Sequence, residues 1–322
     1  MTIEKRRIGQ TNIEVTTLGF GGAPIGAADL TAEESTKILQ AAYDGGIRYF
    51  DTAPLYGLGV SEERVGKGIA QLPRDELILS TKVGRLLAPS AGGAGELTVQ
   101  YDYTYDAARR SLDASFERLG LDRVDILLCH DIDVWTHGDA QPDIFEIAVN
   151  GILPALRDLR EQGVIRAFGL GVNEAAVCSQ IMDRFEVDCF LLAGRFTLLE
   201  QEPLDEFLPK CVEQNVSVII GGPYNSGLLA QSNREDATYD YKPVNDQRWA
   251  RVQQIRKVCD NHGVDIRAAA LQYPLRHAAV ASVIPGSANM QELESNLALF
   301  DAPLPDALWS DLDEAGLART VK

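Results

Sequence analysis

In the stretch RYFDTAPLYG, residues 48–57, Asp51 and Tyr56 stand five positions apart where an apolar run gives way to a loop. Lys82 closes the run LILSTK and His130 closes VDILLCH, each the polar residue at the end of an apolar segment. A lysine ammonium beside a tyrosine stabilises the phenolate and draws the phenol from ~10 toward the working pH, and an aspartate beside the lysine keeps that ammonium charged and placed. A neutral histidine can hydrogen-bond the same substrate oxygen and orient it. The four would form an acid–base site with Tyr56 as the group that moves the proton. Each residue alone has a plainer reading: a solvated strand end, a histidine that satisfies a backbone group, a tyrosine packed over a cavity mouth. The set in this order is what points to chemistry.

For these side chains to converge, their apolar runs must be neighbouring strands. Short β-branched or leucine-rich runs predict strands over residues 17–20, 48–50, 77–81, 124–129, 167–170, 189–192, 216–220 and 280–284. Between them, helical spacing covers 32–44, 62–71, 105–119, 144–161, 175–185, 204–214, 248–262 and 266–275. Thr31-Ala-Glu-Glu34 has the capping-box pattern, Ser61 precedes an acidic first turn, and Gly45-Gly46, Gly120 and Gly163 follow helical patterns as stops. Eight strands alternating with helices predict an α/β chain folded as a closed (β/α)8 barrel. The open dinucleotide-binding alternative would need GxGxxG after its first strand, whereas the chain has Gly19-Phe-Gly21-Gly22-Ala-Pro. Residues 5–8 and 13–16 flank a turn and read as a hairpin plugging the barrel floor. Two stretches break the rhythm, 84–103 and 232–247, and read as lids over the carboxyl-terminal face. No linker or repeat interrupts 1–322, so a single domain is expected.

With 45% apolar residues and a formal net charge of −17, the chain can bury a large core while repelling nucleic acid and anionic lipid. Its most apolar run, 216–220, is too short to span a bilayer, and MTIEKRRIGQ lacks the apolar segment of a signal peptide, so a cytoplasmic location is expected. The cysteines at 129, 178, 189, 211 and 259 are odd in number and widely spaced, which indicates neither a disulfide framework nor a metal cage. His130, Asp131, Asp133 and His137 have a conceivable metal spacing, but His130 is already used and no metal is expected.

The segments LGFGGAPIG, GIRYFDTAPLYGLGVSEERVGKGI, LILSTKVG, SLDASFERLGLDRVDILLCH, GVIRAFGLGVN and VIPGSANMQELESN run nearly the whole length of the chain, and the sequence resembles the aldo-keto reductases. The resemblance implies an oxidoreductase on a barrel that binds NAD(P)(H) without a Rossmann domain, with Asp51, Tyr56, Lys82 and His130 as catalytic tetrad. It places Asn173 at the nicotinamide carboxamide, and Gly22, Asp51, Asn296 and the backbone of Gly227 and Leu228 around the cofactor. The family's usual glutamine and stacking aromatic are replaced by Ala193 and Gly221, with Tyr224 close in sequence. The resemblance also places Ser287 at the cofactor, and at the adenosine end Gly286 and Glu292 stand where members preferring NADP carry a lysine and an arginine, so NAD is the expected cofactor. Asp131, directly after His130, is read as a substrate-binding carboxylate suited to sugar hydroxyls. LLAGRFTLLEQ and GGPYNSGLLA resemble a branch that oxidises cyclic hemiacetals to lactones. The expected substrate is an aldopyranose of L-fucose, L-galactose or D-arabinose type; pyridoxal or NADPH-dependent aldehyde reduction are the alternatives, and a monomer or weak homo-oligomer is expected.

Overall fold

Eight parallel strands form one sheet in the computed structural model, which describes residues 2–90, 96–240 and 242–321. In chain order the strands are β1 (Lys5–Arg7), β2 (Glu14–Thr16), β3 (Phe20–Gly21), β4 (Tyr49–Asp51), β5 (Ile78–Val83), β6 (Arg85–Pro89), β7 (Leu97–Tyr101), β8 (Ile126–His130), β9 (Ala167–Val172), β10 (Cys189–Ala193), β11 (Ser217–Gly221), β12 (Thr238–Tyr239), β13 (Lys242–Pro243) and β14 (Val280–Ile284). The sheet runs β3-β4-β5-β8-β9-β10-β11-β14, and parallel bridges Leu18↔Val283 and Gly21↔Gly286 join its two edges into a barrel. Helices lie between successive strands, as the alternation of apolar periods requires.

Strands β5, β8 and β9 are buried along their whole length because helices cover one face and the packed interior the other. Ile8, Ile13 and Val15 of the β1–β2 hairpin pack with Tyr49, Ile126, Leu128, Leu191 and Ile219 in a separate apolar cluster, so the hairpin closes the floor as expected. Catalytic side chains can then project only at the opposite, carboxyl-terminal mouth.

Three local expectations are corrected. The helix expected over 144–161 is two helices, Gln141–Asn150 and Ile152–Glu161, because a carbonyl from Tyr103 takes the amide of Ile152 at 2.9 Å and leaves no room for a side chain at Gly151. Ser61 does not cap its helix, Val60–Ile69, which starts two residues earlier than expected, from Gly59. Its hydroxyl instead donates to the Gly22 carbonyl at 2.7 Å and bonds Thr52 at 2.8 Å, tying the helix to the strand ends beside the site. The insertion at 84–103 is largely a two-stranded antiparallel hairpin, β6–β7, with Arg85 paired to Tyr101 at its base. Residues 91–95 of that insertion lie outside the described residues. The second insertion contributes the small pair β12–β13.

Candidate active site

Strand β4 ends in Asp51, β5 carries Lys82 one residue from its end, and β8 ends in His130, so adjacent strands deliver all three to one sector of the barrel mouth. Tyr56 enters from the loop after β4. Lys82 Nζ donates to Asp51 Oδ2 at 2.7 Å, to the Thr52 carbonyl at 2.9 Å and to Tyr56 Oη at 3.1 Å. The ammonium thus meets a full set of acceptors although the side chain is only 1% exposed, which is what makes a buried charge tolerable. The other Asp51 oxygen accepts the Ser80 hydroxyl at 2.7 Å, and Tyr49 Oη lies 3.0 Å from Ser80 Oγ. The His130 ring stands edge-on to Tyr56 with centroids 6.2 Å apart. The four side chains expected to converge do so.

Electrostatics at this cluster depart from the simple expectation for Tyr56. Burial raises the phenol above its ordinary value; Lys82 opposes this, but Asp51 raises it again by cancelling much of the lysine's charge. Without further positive charge the hydroxyl is therefore protonated at neutral pH, a correction to the picture of a phenol already drawn down by the lysine. Burial works against the Lys82 ammonium, yet the fields of Asp51 and Tyr56 hold it above the ordinary lysine value. His130 is pushed well below its usual range by burial and by the cations Lys82 and Arg85, so it is neutral. Its Nδ1 is buried without a hydrogen-bond partner among the described residues.

A cleft of about 910 Å³ opens beside these residues. Of the positions expected to contact cofactor, Gly22, Asp51, Asn173, Gly227, Gly286, Glu292 and Asn296 lie on its wall. Leu228 and Ser287 are fully buried behind it; the Leu228 amide donates to the Asn225 carbonyl, so Gly227 alone of that pair is presented. Asn296 accepts from Tyr224 Oη at 2.7 Å and donates to Ser287 Oγ at 3.2 Å, which places Tyr224 on the wall with its ring anchored. Asn173 does not cap the helix Ala175–Met182, since its Nδ2 donates to Asp131 Oδ1 at 3.0 Å. Asp131, read as a partner for sugar hydroxyls, also pairs with Arg85 at 2.5 Å, so the protein already engages both of its oxygens.

Several wall residues escaped the sequence reading. Arg85, Tyr101, Trp135 and Thr136 line the cleft on the side of Asp131, and Arg267 lines it next to Glu292 and Ser295. Arg85 sits immediately after the β5 segment that carries Lys82, a position signal available in the sequence. Arg267 gave none, because only the fold brings its helix to the cleft. Its guanidinium is held by Asp265 at 2.6 Å. Glu292 accepts the amide of Ala288 at 2.8 Å and the side chain of Asn289 at 3.0 Å, while Asn289 caps the Glu292 amide. The carboxylate thus folds back over the turn that opens the last barrel helix.

A nicotinamide dinucleotide suits this donor set. At positive φ on the wall, a side chain at Gly227 would project into open space and one at Gly222 would meet only the Gly194 amide nitrogen at 3.9 Å, so the backbone is bared there as a cradle for a bulky group. The chain belongs to the aldo/keto reductase family, whose model matches residues 17–316. It is 37% identical to D-threo-aldose 1-dehydrogenase of a Pseudomonas species over 96% of each chain, and 36% identical to pyridoxal 4-dehydrogenase of Microbacterium luteolum over 98% of each. Identity to L-galactose dehydrogenase of Arabidopsis thaliana is 30%, over 92% of this chain and 88% of that one. Among solved structures, the holo form of an aldo-keto reductase from Bacillus halodurans matches with a TM-score of 0.79 at 24% identity, covering 99% of this chain and 98% of that one, which shows the shared barrel. The protein is an oxidoreductase acting on CH–OH groups of small molecules, in a family that uses nicotinamide cofactors and needs no metal. Among the described residues, no helix is long and apolar enough to cross a membrane.

Proposed function

We propose that the protein is an NAD-dependent dehydrogenase that oxidises the anomeric carbon of an aldopyranose of L-fucose, L-galactose or D-arabinose type to the lactone. The observation that carries this is the contact of one buried ammonium, Lys82, with both Asp51 and the hydroxyl of Tyr56 in the cleft wall. Tyr56, as phenolate, takes the proton from the anomeric hydroxyl; Lys82 stabilises the phenolate, and Asp51 holds Lys82. Neutral His130 hydrogen-bonds the reacting oxygen. A nicotinamide held there in its oxidised form would supply the hydride acceptor, so that loss of hydride from carbon and of the proton to Tyr56 from oxygen would leave the lactone carbonyl. Asn173, Gly22, Gly227, Gly286 and Asn296 would hold the cofactor.

The sugar substrate is favoured by the similarity to the aldose dehydrogenase and by the polar groups Arg85, Thr136 and Gln231 on the wall. A second reading, oxidation of pyridoxal through its internal hemiacetal, draws on the similarity to the pyridoxal enzyme and on the half-exposed rings of Tyr101 and Trp135, which suit a planar ring. NADH absorbance followed with NAD against a panel of L-fucose, L-galactose, D-arabinose, other aldoses and pyridoxal decides between them. Turnover of sugars sharing one configuration supports the first reading, and turnover of pyridoxal alone overturns it.

Preference for NAD rests on Gly286 and Glu292, which leave a 2′-phosphate facing a carboxylate, while the nearby cation Arg267 is already neutralised by Asp265. More efficient use of NADP than NAD would overturn this reading. The five cysteines, all buried and free, suit the reducing cytoplasm as the place of action. A monomer or weak homo-oligomer is the assembly we infer.

A further inference from the structure

The carboxylate of Asp131 is enclosed by groups from three parts of the fold. Oδ1 accepts from Asn173 Nδ2, in the loop after β9, at 3.0 Å. Oδ2 meets Arg85 Nη2, at the start of β6, at 2.5 Å, and lies 3.4 Å from Nε2 of His130, at the end of β8. The main chain is gripped as well. Tyr103 Oη, just beyond β7, donates to the Asp131 carbonyl at 2.7 Å and to the His130 carbonyl at 2.9 Å, and His137 Nε2 stands 2.9 Å from the Asp131 carbonyl. Both ends of the β6–β7 hairpin therefore hold this one residue, Arg85 by its side chain and Tyr103 by its backbone. Asp131 sits at φ 48°, a left-handed conformation that a residue with a side chain keeps only where its surroundings over-determine it.

We propose that Asp131 is a positioning residue: its carboxylate joins Arg85 to Asn173 and fixes the His130 imidazole beside them, so that the β6–β7 hairpin is held as a wall of the active site. This replaces the reading of Asp131 as a ligand for sugar hydroxyls, and it rests on the proposed roles of His130 and Asn173. An anionic neighbour at Nε2 favours the tautomer with its hydrogen there, which defines what the imidazole offers the reacting oxygen.

The titratable and charged groups around Asp131 are Arg85 from β6, Lys82 from β5, Cys129 and His130 from β8, Tyr103 just beyond β7, Asp133 and His137 further along the chain, and Tyr56 from the loop after β4. Burial raises the carboxyl to about 7, Arg85 and Lys82 opposing and Asp133 adding to the rise. The ionised clasp is thus present above about 7 and is lost as the pH falls below it.

The test compares the full-length wild type with Asp131→Asn, Arg85→Gln, their double variant and Arg85→Lys. Steady-state oxidation is followed against pH, and hydrogen exchange of the hairpin amides at 85–88 and 97–101 is measured without substrate or cofactor. A positioning role lowers kcat in each single variant on the order of tenfold to a hundredfold, with little change in the KM for substrate. The double variant is then no worse than the poorer single one, and Arg85→Lys recovers part of the loss. The extra fall in rate below about 7 in the wild-type profile disappears in Asp131→Asn, leaving the rise that Tyr56 governs, and the protection of the hairpin amides, corrected for intrinsic exchange at each pH, drops in that variant and in the wild type below about 7. A rise in KM with kcat intact, effects that multiply in the double variant, or hairpin protection indifferent to both substitution and pH would overturn the proposal. Exchange needs no turnover, so it reads the clasp even if the substrate assignment fails.

Discussion

At Tyr56 two fields compete, burial and Asp51 raising the phenol and Lys82 lowering it, with the first pair ahead. Oxidation needs the phenolate, so its rate should climb with pH and stay on a rising limb up to about 10, whereas the reverse reduction, which needs the phenol, should not. A profile for oxidation that is flat from neutrality upward would show a phenol already ionised and remove the basis of this argument. Tyr56→Phe keeps the ring and loses the proton carrier; turnover should drop on the order of 10²- to 10⁴-fold while NADH titrated by protein fluorescence binds nearly as before. Retained turnover would sink the proposed role. Ser80 acts one bond further out. Ser80→Ala strips Asp51 Oδ1 of its 2.7 Å donor in a buried place, and denaturant unfolding should register a loss of about 1–3 kcal/mol.

Strand β9 shows how an element sets room for a side chain on its neighbours. A Cβ at Gly169 would lie 1.7 Å from the Cys189 carbonyl on β10, a backbone atom that moves only with its strand. At Gly171 the nearest atoms would be Cε and Cδ of Lys82 at 3.1 and 3.3 Å, the flexible stem of the side chain that reaches Tyr56. The two alanine substitutions should therefore fail differently. Gly169→Ala should cost ~3 kcal/mol or more of stability by overpacking the barrel. Gly171→Ala should fold and lose kcat, on the order of tenfold, by displacing the ammonium. Measuring unfolding and turnover for both separates the cases; equal stability losses would contradict the assignment of Gly171 to the lysine's path.

Across the whole molecule, legibility followed sequence distance. The strands at 126–130, 189–193 and 280–284 and the floor hairpin could be read because alternating apolar periods and turn residues are local, and the polar residue ending a buried run marks the barrel mouth. The ion pair of Arg85 with Asp131, the arrival of Arg267 at the far end of the cleft and the break at Gly151 depend on neighbours that only the closed barrel supplies. The same closure bears on domain organisation. Bridges from Leu18 and Gly21 to the last strand and its loop make the first and last strands neighbours, so no division of the chain leaves a segment with a complete sheet. We infer a single cooperative domain. Heating should give one transition by both far-ultraviolet and aromatic signals. NADH at a hundred times its dissociation constant, contacting residues from both ends of the chain such as Gly22 and Asn296, should raise that transition as a unit through about 2.7 kcal/mol of linkage. Two separable transitions, with only one responding to NADH, would show that the barrel unfolds in parts and that the cofactor cleft belongs to one of them.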